Sequence, residues 1–305
     1  MLPHSPRARR SALLLVALVL GLTAACSSAT GGSRSTTAGQ TSGGAPSAGS
    51  GRSYVALGDS YSSAPLVPTT DVADGCFRSS NNYASLVAKA LPARLVDRTC
   101  GGAQTRDLLG KQYPAVPPQL DALRPTTDLV TIGIGGNDAG VFTSLVGQCS
   151  QLAAQDPEGH PCRTAMSSSG RDRLLTALDG TRKRVTQALV EVKQRSPEAQ
   201  VLVVGYPQII SADSRCRQLP LAAGDYAYAE RVNARLASAV QQAAAATGTT
   251  YVDVWKASQG HDICAKDPWI NGATDDKRRA ARFHPFAVEQ RAVAKLVEQA
   301  VASRG

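Results

Sequence analysis

The sequence predicts an α/β fold: a parallel sheet covered by helices on both faces. Three observations carry this expectation. Short β-rich runs alternate with longer helical patterns, the runs are nearly uninterrupted in apolar residues, and each ends in Gly or a polar cluster. The strand candidates are residues 53–57, 94–97, 129–134, 201–204 and 251–254. Between them, residues 82–91, 172–193, 226–246 and 287–302 combine helical periodicity, Ala content and few breakers. The loops 64–76 and 143–169 carry no pattern that reads as an element, yet they are placed to wall the crevice of such a fold.

Composition agrees with a single large domain. Of 305 residues, 43% are hydrophobic and 19% charged, which excludes disordered, collagen-like and helical-repeat classes. Residues 1–25 read as an export signal: a basic stretch ending at Arg10, an apolar run from Ala12 to Leu22 too short for a stable membrane span, then Thr23, Ala24 and Ala25. Small residues directly before Cys26 resemble the bacterial lipobox, although Thr23 stands where Leu is usual; lipidation of Cys26 is expected, with secretion after cleavage as the alternative. Residues 26–52 form a Gly/Ser/Thr linker whose coil would reach on the order of 30 Å. The domain proper spans residues 53–305.

The net charge is +9, from 33 basic and 24 acidic residues. Removing Arg7, Arg9 and Arg10 with the signal leaves 30 against 24, or +6, a balance that suits acidic surfaces such as anionic lipid headgroups or cell-wall polymers. Basic residues are not interleaved with aromatics, so no nucleic-acid partner is expected. Seven cysteines in an exported chain is an odd number, and giving Cys26 to lipid leaves six. Of the fifteen possible pairings, the consecutive one is simplest: Cys76–Cys100, Cys149–Cys162 and Cys216–Cys264. No pair has CxxC spacing, so no metal site is expected.

In parallel sheets the chemistry sits at the carboxyl ends of the strands. Gly58-Asp59-Ser60 follows the first strand, Cys100-Gly101-Gly102 the second and Gly135-Gly136-Asn137-Asp138 the third, while Phe283-His284-Pro285 precedes the last helix. Acyl transfer needs a nucleophile, a base and donors aimed at the developing oxyanion. Ser60 is the nucleophile candidate and His284 the base, with His261 its rival. The N–H groups of Ser60 and Gly102 and the side-chain amide of Asn137 are the oxyanion donors. Asp138 reads as the cap of a following helix, and His160 as an exposed turn residue. The cluster Lys277-Arg278-Arg279 with Arg282 reads most simply as a solvated face.

Four blocks in order, VALGDSYSS (55–63), CGGAQTRDL (100–108), IGIGGNDAG (132–140) and RFHPF (282–286), resemble those of the SGNH, or GDSL, hydrolase superfamily. The GDSYSS form, three cysteine pairs, GHDIC (260–264) and WING (269–272) are similar to its secreted actinobacterial esterase and lipase branch. The resemblance implies a three-layer α/β/α sandwich resembling flavodoxin, no metal or organic cofactor, an acyl-ester substrate, and the same roles for Ser60, His284, Gly102 and Asn137. Most members carry an Asp three residues before the catalytic His; that position here is Ala281. Either a backbone carbonyl near Arg282 orients His284, making a Ser–His dyad, or Asp275 or Asp276 reaches in. The expected activity is a serine carboxylesterase or lipase at the cell surface, acting as a monomer. The same site also fits a polysaccharide deacetylase or acyltransferase, and a non-catalytic envelope-binding lipoprotein remains the reading from a different class.

Overall fold

The computed structural model describes residues 51–303. The export segment, Cys26 and all of the linker but Gly51 and Arg52 lie outside the described residues. Five strands, β1 (Ser53–Gly58), β2 (Arg94–Asp97), β3 (Leu129–Gly133), β4 (Gln200–Val204) and β5 (Thr250–Val252), form one wholly parallel sheet in the order β2-β1-β3-β4-β5. Four long helices connect or follow them: α1 (Tyr83–Ala90), α2 (Arg173–Arg195), α3 (Tyr226–Thr247) and α4 (Ala287–Ala302).

The period of two along each strand divides the core into two layers. Tyr54 and Ala56 of β1 and Leu202 and Val204 of β4 point to one face, where they join Tyr83 and Val87 of α1 and Val293 and Val297 of α4. Val55, Leu57, Val201 and Val203 point to the other, against Leu178, Val185 and Leu189 of α2 and Val232, Leu236 and Val240 of α3. Each such side chain, fully buried, contributes roughly 1.5–3 kcal/mol. The result is the expected three-layer α/β/α sandwich.

Local chemistry sets the helix boundaries. Asn82 caps α1 by accepting from Ser85 N at 2.9 Å, and Asp172 caps α2 by accepting from Leu175 N at 2.9 Å. Gly248 ends α3 in the left-handed region, at φ 63°. At β5 the expectation of residues 251–254 is corrected. The strand stops at Val252, because Asp253 turns its carboxylate onto Lys256 N at 3.0 Å and opens a short helix, Val254–Ala257.

Loop 143–169, unreadable in the sequence, is largely helical. A π-helical turn at Thr143–Gln148 runs into Cys149–Ala153, and after a turn the chain forms Pro161–Met166. The Cys149–Cys162 disulfide joins these two short helices; Cys76–Cys100 and Cys216–Cys264 complete the consecutive pairing. Neighbours of β1 on either side lead away in opposite directions, so a crevice opens at the carboxyl ends of β1 and β3. The blocks singled out in the sequence meet there.

Candidate active site

Ser60 begins a single helical turn, Ser60–Ser63, directly after β1. Gly58 makes the sharp exit possible: its φ is 149°, and a Cβ there would lie 2.5 Å from both the Gly133 carbonyl oxygen and Ser62 Oγ. Gln119 clamps this strand end, accepting from Gly58 N at 2.8 Å and donating to Gly58 O at 3.0 Å. Asp59 caps the turn by accepting from Tyr61 N at 3.0 Å, and its other oxygen accepts the Tyr206 hydroxyl hydrogen. Tyr206 in turn accepts from Gly136 N at 2.8 Å, tying the third block to the nucleophile turn.

Ser60, Gly102 and His284 line one cavity of about 330 Å³, together with Pro65, Leu66, Phe77, Tyr113 and Asp275. No hydrogen bond joins Ser60 Oγ to His284, the loose arrangement common in unliganded catalytic pairs. Among the described residues the N–H groups of Ser60 and Gly102 donate to no protein acceptor, and Gly102 holds its N–H in place through a φ of 76°. Asn137 donates one amide hydrogen to Ala103 O at 3.1 Å, which sets its side chain beside Gly102 and leaves a second hydrogen to donate. Ser60 and Gly102, with N–H groups free to donate, thus line the same cavity, and the Asn137 amide is anchored to the residue after Gly102.

Asp138 does not cap the following turn, contrary to the sequence expectation. Its buried carboxylate accepts from Thr105 N at 2.9 Å, Thr105 Oγ1 at 2.8 Å and Arg184 Nε at 2.8 Å. A residue with three long-range donors gains more from bridging the second block to α2 than from one local N–H.

The His284 segment is held on three sides. Residues 269–272 run antiparallel to it: Phe286 N donates to Trp269 O at 2.8 Å, Asn271 N to His284 O at 2.9 Å, and Phe283 N to Gly272 O at 3.0 Å. The Tyr61 hydroxyl donates to Phe283 O at 2.8 Å, linking the segment to the residue after Ser60. His284 Nδ1 lies 2.7 Å from Arg282 O. A carbonyl only accepts, so Nδ1 carries the hydrogen and Nε2 keeps its lone pair.

Asp275 borders the cavity but accepts from Arg282 N at 2.8 Å, and Asp276 closes a hairpin with Ala280. Neither bonds the imidazole. Burial lowers the His284 pKa, opposed by the Arg282 carbonyl and the Asp275 charge. His261 does not line the cavity that holds Ser60; it stacks on Trp269 at 4.5 Å and places Nδ1 2.8 Å from Asp267 O. His160 is exposed, as expected.

Two carboxyls near Ser60 are buried, Asp59 directly before it and Glu289 on α4. Burial raises Asp59 to about 7 and Glu289 to about 8. Glu289 accepts from Gln290 Nε2 at 2.7 Å, and Gln290 also donates to Tyr61 O at 3.0 Å. A raised folded-state pKa means the native state binds more protons, so stability falls as pH climbs from 4.5 to about 8. Glu289→Gln is therefore expected to gain stability over the native chain as pH rises through that window, by roughly 2–5 kcal/mol once it is passed. Thermal melts at pH 5 and pH 9 check this; a difference that does not grow with pH overturns it.

A wholly parallel sheet between two helix layers, with the sequence blocks gathered at its carboxyl edge, is the arrangement of an SGNH-type hydrolase. The chain belongs to the GDSL-like lipase/acylhydrolase family, whose profile matches residues 56–288. It is 44% identical over 216 residues to Lipase 2 of Streptomyces coelicolor, covering 69% of this chain and 72% of that one. The crystal structure of phospholipase A1 from Streptomyces albidoflavus NA297 superposes with a TM-score of 0.67 at 29% identity, covering 82% of this chain and 99% of that one. An extracellular lipase from Streptomyces rimosus superposes with a TM-score of 0.64 at 27% identity, over 81% and 99%. The protein is a carboxylic ester hydrolase.

Proposed function

We propose that the hydrolase works through a Ser60–His284 dyad. His284 Nε2 takes the Ser60 proton as Oγ attacks the ester carbonyl carbon. The oxyanion draws hydrogen bonds from the N–H groups of Ser60 and Gly102 and from Asn137 Nδ2. His284 then gives the proton to the leaving alcohol, and the acyl group stays on Ser60. Water, deprotonated by the same nitrogen, attacks the acyl-enzyme; the Oγ–acyl bond breaks, the acid leaves and His284 returns the proton to Ser60 Oγ. The Arg282 carbonyl fixes the tautomer in the place where a carboxylate would ordinarily do so. The observation that carries this reading is the cavity shared by Ser60, Gly102 and His284.

Export and action at the cell surface, with Cys26 as the lipid anchor, form part of the proposal; the extracellular relative from Streptomyces rimosus supports the export. The apolar side chains Pro65, Leu66, Phe77 and Tyr113 around the cavity favour an acyl chain longer than acetyl. Each added methylene buried there is worth about 0.8 kcal/mol, or roughly fourfold in kcat/KM, until the cavity is filled. Hydrolysis of a p-nitrophenyl ester series from acetate to palmitate tests this. Activity peaking beyond acetate is expected. A maximum at acetate would transfer the site to acetyl groups, as in a polysaccharide deacetylase, and no hydrolysis of any ester would leave a binding protein.

A further inference from the structure

We infer that the rim of this cavity is a docking surface for an anionic lipid surface. The inference rests on the cavity being the substrate entrance, but it concerns binding rather than turnover. Seven large apolar side chains are strongly exposed among the described residues, and four sit on the segments 72–77 and 109–113, which both contribute to the cavity lining. Val72 and Leu109 are 58% and 53% exposed; Phe77 and Tyr113, each 40% exposed, line the cavity itself. The two segments abut one another: the Tyr113 ring lies against Gly75, and Gly101 N donates to Cys76 O at 2.8 Å beside the Cys76–Cys100 disulfide. These exposed side chains have no covering partner among the described residues.

Charge supplies the choice of occupant. Across the opening, Asp275 and Ala281 line the cavity, and between them the chain forms a hairpin closed by Asp276 and Ala280. Its tip carries Lys277, Arg278 and Arg279, all exposed. The two acids of this turn are engaged with backbone: Asp275 accepts from Arg282 N at 2.8 Å and Asp276 from Arg278 N at 3.0 Å. Arg279 lies over the Phe286 ring, while Lys277 and Arg278 form no ion pair among the described residues. Exposed Lys111 adds a cation on the apolar side, next to Leu109.

Apolar loop tips beside unpaired cations suit a phosphate-bearing membrane face. The tips enter the acyl boundary while the cations meet headgroup phosphates. In that orientation the mouth faces the lipid, so an ester there reaches Ser60 without first crossing water.

The test uses the full chain, with Cys26→Ser in every protein so that acylation contributes nothing. Binding to phosphatidylglycerol and to phosphatidylcholine vesicles is measured by flotation in a Ser60→Ala background, which leaves the lipid intact. Two variants alter the surface without touching the cavity lining: Lys277→Glu with Arg278→Glu, and Val72→Ser with Leu109→Ser. Each is expected to weaken phosphatidylglycerol binding by roughly tenfold or more. With Ser60 restored, hydrolysis of a soluble short-chain ester should stay within about twofold, since exposed side chains remote from a site rarely alter it. Vesicle binding unchanged in both variants overturns the inference. So does binding of soluble poly(glycerol phosphate) without vesicle binding, which would assign the cations to a polymer. Variant-sensitive vesicle binding in a protein that hydrolyses no ester would instead sink the catalytic reading and leave the surface standing.

Discussion

Ser60→Ala is expected to lower kcat on a soluble ester by roughly 10⁴-fold or more, with little change in KM or melting temperature. The loss is this large because no other hydroxyl replaces Oγ at the proposed oxyanion donors. Ser62 and Ser63, in the same helical turn, are buried away from the mouth, and Ser62 Oγ receives the Tyr83 hydroxyl at 3.3 Å. Stability should hold because Ser60 Oγ has no protein hydrogen-bond partner among the described residues, so its loss strands no buried polar group. What activity remains would come from binding and the oxyanion donors alone. A loss of less than tenfold, or a collapse of the melting temperature, would contradict the assignment.

Changes at His284 should be almost as severe, and they should separate a dyad from a triad. His284→Ala is expected to cost roughly 10³-fold or more in kcat. Asp275→Asn keeps an oxygen to accept from Arg282 N and removes only the charge, so a loss below about tenfold is expected, against ~10⁴ for a true triad carboxylate. Its signature is a shift in the pH profile. The site works with neutral His284, and burial favours that form, so the acid limb of kcat/KM should fall below the ordinary 6.5. Asp275 raises the imidazole pKa, so removing its charge should move the limb further down. A fall in kcat by orders of magnitude would make Asp275 the third catalytic group, and a limb that stays put would remove its charge from the surroundings of His284.

Much of this was legible in the sequence, because its strands announce themselves. Apolar runs such as 129–134 end in Gly where the chain must turn, and the structure agrees to within one residue at four of the five strands' ends in the crevice. The caps Asn82 and Asp172 mark helix starts by short-range bonds that spacing alone encodes. Ser60, Gly102 and His284 stood at strand ends or before a helix, where a parallel sheet puts its chemistry.

What sequence did not disclose is the support of the site, for a physical reason. Tyr61 reaches Phe283 across 222 residues, Gln290 reaches Tyr61 across 229, and Gln119 reaches Gly58 across 61. These are single side-chain bonds between distant segments, and no local period or composition records them. Asp138 failed for the same cause: its position suggested a cap, but its partners Thr105 and Arg184 are remote in the chain. The π-helical turn at Thr143–Gln148 breaks the 3.6-residue period on which helix reading depends.

In the proposed mechanism Ser60, in this one cavity, is the nucleophile of a covalent reaction. The most direct measurement is reaction of the folded protein with a fluorophosphonate, followed by peptide mass mapping. A single adduct on Ser60 is expected, formed in the native chain, lost in Ser60→Ala and slowed in His284→Ala. No adduct, or an adduct on any other residue, would contradict it.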